Sequence, residues 1–288
     1  LGRGKWRCNA SENSKKQSRL DLKYRKMEDY LEVNKASWNN RLESHLTSDF
    51  YDLEGFKKGK TSLNDIELDI LGDITGLKIL HLQCHFGQDT ISLSRLGAKV
   101  TGMDLSDDSV KKAKELAYEC GTDTEFVCCD LYDLPNHLTG QFDIVFTSYG
   151  TISWMPDLDK WASVIDHFLK PGGRFVFAEF HPVVWMFDDE MEKIKYHYFN
   201  AKPIIEEEEG TYADRSAAIK QKYVCWNHGL AEVVTSLLNK GMTLNMLREF
   251  DYSPYAFVNY SEEIEPGKFR IKNFQDKVPL VYALEGIK

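Results

Sequence analysis

Two aspartates stand where a ligand-binding carboxylate is expected, Asp104 and Asp130. Asp104 ends an apolar stretch and follows Gly87 by 17 residues. In nucleotide-binding βαβ units, roughly 20 residues separate the glycine loop from the acid that accepts from ribose hydroxyls. Asp130 follows 26 residues later, the length of one helix and one strand. Because neighbouring parallel strands end at one sheet edge, we expect both carboxylates to face the same ligand. A solvated turn is the alternative for Asp130, since Asp133 and Pro135 lie nearby.

The loop before Asp104 narrows the choice of ligand. A dinucleotide site needs Gly-x-Gly-x-x-Gly, so that backbone amides and a helix N-terminus can approach the pyrophosphate. Here Gly87 is the last position of a Gly-x-Gly-x-Gly frame whose other two places hold Gln83 and His85. Such a loop is poorly shaped for phosphates, which argues against a nicotinamide dinucleotide.

The elements that must position these residues predict an α/β fold. Residues 77–82 form a short apolar run, typical of a strand buried on both faces, and residues 98–104 predict a second strand. We expect Asp89 to cap the helix between them and Gly97 to end it in a left-handed conformation. The apolar residues of that helix that should face the sheet are Ile91, Leu93 and Leu96.

The same alternation continues along the chain. A helix capped by Ser106 or Asp107 leads to a strand over residues 125–129, and the next strands cover residues 142–147 and 173–180. Strands alternating with helices argue for a parallel sheet. Further helices are expected within residues 27–46, 64–71, 158–169 and 230–238, further strands at 243–250 and 280–285, and a hairpin ending at 223–226.

Two passages resemble the class I S-adenosylmethionine (SAM) methyltransferases. Residues 81–87, His-Leu-Gln-Cys-His-Phe-Gly, resemble motif I of that family in the variant of a bacterial small-molecule branch. Residues 142–179 match its most typical passage: Phe-Asp-x-Val, a helix, Leu-Lys-Pro-Gly-Gly and an apolar strand. The resemblance spans residues 77–181. It implies a three-layer, doubly wound, mostly parallel seven-stranded sheet with an antiparallel last strand, and SAM as the cofactor.

The resemblance also assigns roles to residues. Asp104 becomes the ribose acid, Asp130 accepts from the adenine amino group, and the amide of Leu131 reaches the adenine ring. His81 replaces an acid that is usual at its position. The predicted cofactor-binding residues are Trp38, Tyr51, His81, Gln83, Cys84, His85, Gly87, Asp104, Leu105, Ser106, Asp130, Leu131 and Thr147.

The chain is expected to have three parts. Residues 1–26 carry nine Lys or Arg against two acids and predict a disordered basic tail, with a nucleic-acid or membrane tether as the alternative. Residues 27–76 are predicted to form an N-terminal helical cover, in which Phe56 lies in a loop with Gly55 and Gly59. Residues 77–288 would be the SAM-binding domain, with an aromatic, partly acidic lid inserted at 182–228.

The aromatic residues of the N-terminal part have two possible roles. In the resembled family an N-terminal helix and its loop fold over the cofactor, so Trp38, Phe50 and Tyr51 are candidates to wall the ligand. The alternative is that these three side chains only attach the helix to the core.

Composition excludes several classes of function. The net charge of −9 and pI near 5.5 disfavour a nucleic-acid partner, which normally needs a basic face. No run approaches the ~18 apolar residues of a membrane span, and no signal peptide is recognisable. The six cysteines show no C-x-x-C pair and no His at metal spacing. We therefore expect a cytoplasmic protein without a metal centre.

These features together predict a methyltransferase that transfers a methyl group from SAM to a small molecule by in-line SN2 displacement. His181, ending the fifth strand, is the candidate base, and Tyr149, leaving the fourth, is the candidate to orient the acceptor. Positioning alone can carry methyl transfer. The alternative is therefore that His181 serves only to hold a turn, and that His228, the other histidine near the lid, serves only to cap the next helix. A non-catalytic SAM-binding sensor and a nicotinamide-dependent oxidoreductase are the alternative functions.

Overall fold

The computed structural model describes residues 30–200 and 202–288; the tail predicted over residues 1–26 lies outside them. The helices are α1 Tyr30–Leu46, α2 Leu53–Lys57, α3 Asp65–Leu71, α4 Gln88–Arg95, α5 Asp107–Glu119, α6 Leu134–His137, α7 Leu158–Phe168 and α8 Leu230–Leu238. The strands are β1 Lys78–Leu82, β2 Lys99–Asp104, β3 Glu125–Cys128, β4 Phe142–Ser148, β5 Leu169–Phe180, β6 Ile204–Glu209, β7 Lys220–Cys225, β8 Thr243–Phe250, β9 Ser261–Glu265, β10 Lys268–Ile271 and β11 Val281–Ile287. Among these residues, no helix is long and apolar enough to cross a membrane.

Seven strands form one sheet in the order β3-β2-β1-β4-β5-β11-β8. Neighbours from β3 to β5 are parallel, whereas β11 runs antiparallel to both β5 and β8. This arrangement confirms the predicted doubly wound sheet and its antiparallel last strand. Successive strands are added on one side of β1 up to β3 and on its other side from β4 onwards, so the strand order switches between β1 and β4. Ligands of open α/β sheets bind at the carboxyl ends of the strands beside such a switch point.

Alternating side chains of β1 supply both faces of the core. Leu80 and Leu82 pack with Trp161 of α7 on one face, and Ile79 packs with Leu93 of α4 on the other. This follows from the two-residue period of a strand, and it explains why β1 reads as a continuous apolar run. Helices therefore flank the sheet on both sides, as three layers require.

Helix α1 and the β6–β7 hairpin, called the cover below, are joined to each other. The buried side chain of Asn34 accepts from the backbone N–H of Val224 and donates to its carbonyl, both at 2.8 Å. The guanidinium of Arg41 forms an ion pair with Glu208 at 2.9 Å. The cover thus unites two segments that lie far apart in the sequence.

Several local predictions were wrong. Helix α4 begins after Gly87, so Asp89 lies in its first turn and is not its cap. Leu96 is 44% exposed and does not face the sheet. Gly55 lies inside the short helix α2, where a loop was expected. The hairpin formed by β9 and β10 was not predicted, because its exposed, charged strands lack an apolar alternation.

Candidate cofactor and substrate site

A cavity of about 960 Å³ opens at the carboxyl ends of β1, β2 and β4, under the cover. Tyr149 lines this cavity, whereas Ser106, Thr147 and His181 are not among its lining residues. The predicted cofactor-binding residues that line it are Trp38, Tyr51, His81, Gln83, Cys84, His85, Gly87, Asp104, Leu105, Asp130 and Leu131. The structure therefore brings most of the predicted site together in one concave site.

The loop after β1 keeps the shape of a glycine loop with only one glycine. Gln83, His85 and Gly87 have φ values of 55°, 51° and 85°, so all three frame positions are left-handed. Glycine adopts this region freely, while other residues do so at a cost. At Gly87 a Cβ would also lie 2.9 Å from the Cβ of Ala113, so α5 leaves no room for a side chain there.

This backbone shape holds the carboxylate of Asp104. The N–H of His85 donates to Oδ2 at 2.8 Å, and the N–H of Ser106 donates to Oδ1 at 2.9 Å. Burial raises the pKa of Asp104 to about 6, and these amides oppose the rise. The amide of Leu105 is a third donor to this carboxylate. Because a carboxylate offers about four lone-pair sites, it can still accept from a ribose hydroxyl. Ser106 therefore acts behind Asp104, and its hydroxyl also caps α5 by accepting from the N–H of Ser109.

Asp130 and Leu131 follow β3 on the same edge of the sheet as Asp104. Both line the cavity, and burial raises the pKa of Asp130 while the amides of Tyr132 and Leu131 lower it. A carboxylate in this position is available to a ligand, unlike one on a solvated turn. Leu131 is 3% exposed and can pack against a flat ring.

His81 carries no charge at the position where the resembled family has an acid. Its Nδ1 lies 2.8 Å from the hydroxyl of Thr90, and burial lowers its pKa to about 3. A buried carboxylate lies nearby instead: Asp89 lines the cavity and accepts from the hydroxyls of Ser148, at 3.2 Å, and Ser62. Asp89 forms no ion pair within the described part of the chain. Its position in the sequence predicted a helix cap, so its place in the cavity was not predicted.

Gln83 offers an unused acceptor on the wall of the same cavity. Its Nε2 donates to the carbonyl of Thr151 at 2.9 Å, while its buried Oε1 has no partner among the described residues. A buried acceptor without a donor is costly, and a ligand N–H would satisfy it. This orphaned oxygen and the Asp104 carboxylate fit the donors of a SAM molecule.

A histidine pair connects the cover to the loop. Nε2 of His85 lies 2.8 Å from Nδ1 of His45, and Nδ1 of His85 lies 3.2 Å from the hydroxyl of Ser109. Burial lowers the pKa of His45 to about 3 and that of His85 well below its ordinary value. The pair is therefore neutral, with one ring donating to the other. The Trp38 ring packs edge-on against His85 at 5.1 Å, and Tyr51 hydrogen-bonds Tyr212 of the hairpin loop.

Tyr149 is supported by a buried acid that the sequence analysis did not find. Its hydroxyl donates to Oε2 of Glu67 at 2.8 Å, and Oε1 of Glu67 accepts from the N–H of Asn64 at 2.7 Å. Glu67 is fully buried, and burial raises its pKa to about 7. Glu179, also buried, holds the loop after Tyr149 by accepting from the amides of residues 150–152.

The histidine predicted as a base does not reach the cavity. His181 accepts from the N–H of Val183 at 3.2 Å, and its Nε2 lies 2.9 Å from Glu249 on β8. Side chains alternate along β5, so Phe180 faces the cavity and His181 does not. His228 bonds the carbonyl of Met155, also away from the cavity. We therefore do not retain His181 as a catalytic residue.

Thr147 lies beneath the loop and does not face the ligand. It is fully buried, and its hydroxyl donates to the carbonyl of Leu82 at 3.2 Å. The same hydroxyl lies 3.2 Å from that of Thr151. Thr147 thus joins the ends of β1 and β4 at the switch point.

Comparisons with known proteins agree with this geometry. Residues 79–173 match a family described as a methyltransferase domain. The ubiquinone biosynthesis O-methyltransferase of Xanthomonas oryzae pv. oryzae is 31% identical over 136 residues, which are 46% of this chain and 56% of that protein. The corresponding enzyme of Chromobacterium violaceum is 29% identical over 153 residues, 52% and 62% of the two chains. The chain thus spans little more than half the length of these curated relatives.

Solved structures share the fold at low identity. A SAM-dependent methyltransferase from Mesorhizobium loti aligns with a TM-score of 0.53 at 18% identity, covering 82% of this chain and all of that one. The geranyl diphosphate C-methyltransferase of Streptomyces coelicolor, in complex with Mg²⁺, geranyl diphosphate and S-adenosyl-L-homocysteine (SAH), gives 0.52 at 16% identity and covers 77% of each chain.

The strand order and the structural neighbours show the fold of the class I, Rossmann-like SAM-dependent methyltransferases, and residues 79–173 match a methyltransferase domain. This confirms the predicted fold class and supports the predicted family. It also supports the predicted enzyme class and SAM as the cofactor.

Proposed function

We propose that this protein transfers a methyl group from SAM to a small-molecule acceptor, as a member of the small-molecule branch of its family. The observation that carries the proposal is the Asp104 carboxylate, which lines the cavity and is held there by backbone amides of the adjoining loops. A ribose diol presents two hydroxyl donors to such a group. The ubiquinone O-methyltransferase relatives also act on a small molecule, by their names.

The strand order sets the direction in which SAM would lie. Asp130 follows β3, Asp104 ends β2, Gln83 follows β1, and Asp89 is bonded to the end of β4. The adenine would therefore lie at Asp130 and the ribose at Asp104. The methionine end would lie at Gln83 and Asp89, whose oxygens can accept from its α-ammonium group.

When bound, SAM supplies an electrophilic methyl group with a good leaving group. The chain's own residues then need to align the acceptor and exclude water, which can supply much of the acceleration of a displacement reaction. The cover and the loop after α1 close the cavity from one side, through Trp38 and Tyr51 respectively. Tyr149 presents an oxygen to the acceptor, because its hydrogen is donated to Glu67.

The class of acceptor is inferred from the volume of the cavity and the net charge of the chain. A cavity of about 960 Å³ must hold both SAM and the acceptor, so it suits a metabolite-sized molecule. The net charge of −9 gives no support for a nucleic-acid acceptor. We propose a cytoplasmic location, where SAM and reduced cysteines are both expected.

A thermal-shift panel with SAM, SAH and NADH tests the proposal. A ligand at ~100-fold above its Kd adds about 2.7 kcal/mol of apparent stability, so SAM and SAH should both raise Tm and NADH should not. Stabilisation by NADH alone would indicate an oxidoreductase instead. SAM binding without SAH formation across a panel of amines, phenols and thiols would indicate a sensor.

A further inference from the structure

Five aromatic rings line one part of the cavity, and we call them the aromatic cage: Phe50, Tyr51, Tyr149, Tyr212 and Tyr255. The ring of Phe50 lies 5.0 Å from Tyr51, 5.5 Å from Tyr212 and 5.4 Å from Tyr255. Tyr255 in turn lies 5.2 Å from Tyr149. Phe50 and Tyr51 lie in the loop after α1, and Tyr149 directly follows β4. Tyr212 lies in the loop of the β6–β7 hairpin, and Tyr255 lies in the segment after β8. Clustered aromatic rings on a cavity wall can attract an organic cation through their π systems.

Two carboxylates lie near these rings: buried Glu67 accepts from the Tyr149 hydroxyl, and Asp89 lines the same cavity. Burial is the main cause that raises the pKa of the Tyr51, Tyr149 and Tyr255 hydroxyls, and the charge of Asp89 contributes to all three. Glu67 contributes to the pKa of Tyr149 and Tyr255 in the same direction. The cage is therefore a neutral aromatic surface in a negative local field, which favours a cation over an anion.

The charged residues on the rest of the cavity wall are mostly acidic. Ten acidic residues line the cavity against three basic ones, Arg41, Lys60 and Arg215. Arg41 is paired with Glu208 and Lys60 with Asp52, each at 2.9 Å. Most of the positive charge is thus already compensated, and an anionic acceptor would meet net repulsion at the entrance.

We propose that the methyl acceptor is a small amine, a cation in solution, whose nitrogen is held by the aromatic cage. This rests on the proposed methyltransferase function and names the acceptor class for the same cavity. Methyl transfer to a neutral amine moves a positive charge from sulfur to nitrogen, so a site adapted to cations suits both the start and the end of the reaction. An acceptor that carries a carboxylate, such as a hydroxybenzoate, would instead have to enter this field as an anion.

The step balances without a further reactant. The ammonium first gives one proton to the Tyr149 oxygen, while the Tyr149 hydrogen passes to Glu67 along the 2.8 Å hydrogen bond. The nitrogen lone pair then forms the new N–C bond as the methyl–sulfur bond breaks, and that bonding pair stays on sulfur. The products are a methylated ammonium and the thioether SAH. Tyr149 and the cage touch the acceptor, and Glu67 is a positioning residue that acts through Tyr149.

Choline and 3,3-dimethylbutan-1-ol test the cage, because they share one shape and differ in charge. With SAH bound, we expect calorimetry to give at least tenfold tighter binding of choline. Phe50→Leu and Tyr255→Leu should reduce this ratio to less than threefold, whereas Tyr118→Leu, at a residue that is 88% exposed, should leave it unchanged. Tyr255→Phe keeps the ring and should keep the ratio, which controls for a loss of folding.

Equal affinity for the two compounds would overturn the amine proposal. The absence of choline binding at about 10 mM choline would overturn it as well. Tighter binding of 3,4-dihydroxybenzoate than of choline would also overturn it, in favour of an anionic phenol. Failure of the methyltransferase function itself gives a different result, since SAM would then yield no SAH with any amine, phenol or thiol, whether or not choline binds more tightly than its neutral analogue.

Discussion

Gln83 and His85 hold left-handed conformations that cost an L-residue roughly 1–2 kcal/mol each. Both are fixed by side-chain bonds, Gln83 to the carbonyl of Thr151 and His85 to His45. These bonds offset the backbone cost and aim the N–H of His85 at Asp104. The loop thus retains, with side-chain contacts, a shape that glycine would give freely.

Asp104 can be tested by removing its acceptor oxygens. Charge-assisted hydrogen bonds contribute ~1.5–3 kcal/mol each, so Asp104→Ala should lower SAM affinity at least ~10-fold by calorimetry. Asp108→Ala is the matched control, an exposed acid in the first turn of α5 that should leave affinity unchanged. Unchanged SAM binding in the Asp104 variant would remove this residue from the site.

Glu67 should make stability depend on pH. Burial raises its pKa from 4.5 to about 7, so the folded protein holds this proton more tightly than the unfolded chain does. Its contribution to stability is complete below pH 4.5 and is lost as the pH rises through about 7. The difference between the two pKa values corresponds to roughly 3 kcal/mol.

Glu67→Gln removes this titration. Urea unfolding should show that the variant loses less stability than wild type between pH 5 and pH 8.5, by roughly 1–3 kcal/mol. The exposed Glu262→Gln should behave as wild type. Parallel pH profiles for wild type and the Glu67 variant would contradict the raised pKa.

The role of a residue could be predicted from the sequence only where it follows from the position of that residue in a strand or helix. Asp104 and Asp130 end or follow strands, so their place on the sheet edge follows from the strand pattern. Glu67 and Asp89 gain their roles from partners that lie far away in sequence, Tyr149 and Ser148. His181 was assigned to the cavity from its strand end, but the alternation of side chains along β5 turns it towards Glu249.

At the level of elements, the cover depends on a few polar contacts. Helix α1 buries Asn34, Arg41 and His45, and each bonds a different partner: the hairpin strand β7, the hairpin strand β6 and the loop after β1. Buried polar groups of this kind hold an element in one position, because losing the position leaves them unpaired.

Asn34→Ala would leave both backbone groups of Val224 without their side-chain partner. We expect a loss of roughly 1–3 kcal/mol in urea unfolding and faster hydrogen exchange at the Val224 amide. Asn40→Ala is the matched control, since Asn40 is exposed and contacts the same strand through the carbonyl of Lys220 at 3.3 Å. Its cost should stay below ~0.5 kcal/mol. Equal costs for the two variants would show that the buried contact does not anchor the hairpin.

For the whole molecule, local patterns predicted the sheet and its helices, because buried parallel strands and amphipathic helices each carry a periodic signal. They did not predict how α1 meets the β6–β7 hairpin. That contact joins Asn34 to Val224 across 190 residues and depends on polar side chains without periodicity. The aromatic cage likewise unites segments from Phe50 to Tyr255 that no local pattern relates.

Two truncations test how much of the N-terminal part the site needs. Residues 1–26 contain nine Lys or Arg and little apolar sequence, so their removal should leave Tm and SAM affinity unchanged. Removal through Phe50 takes away α1, with the Asn34, Arg41 and His45 contacts, and one ring of the cage. That variant should lose more than ~10-fold in SAM affinity and unfold at a lower temperature, as measured by calorimetry and thermal scanning. If both truncations bound SAM as tightly as the full chain, α1 would have no part in holding the cofactor.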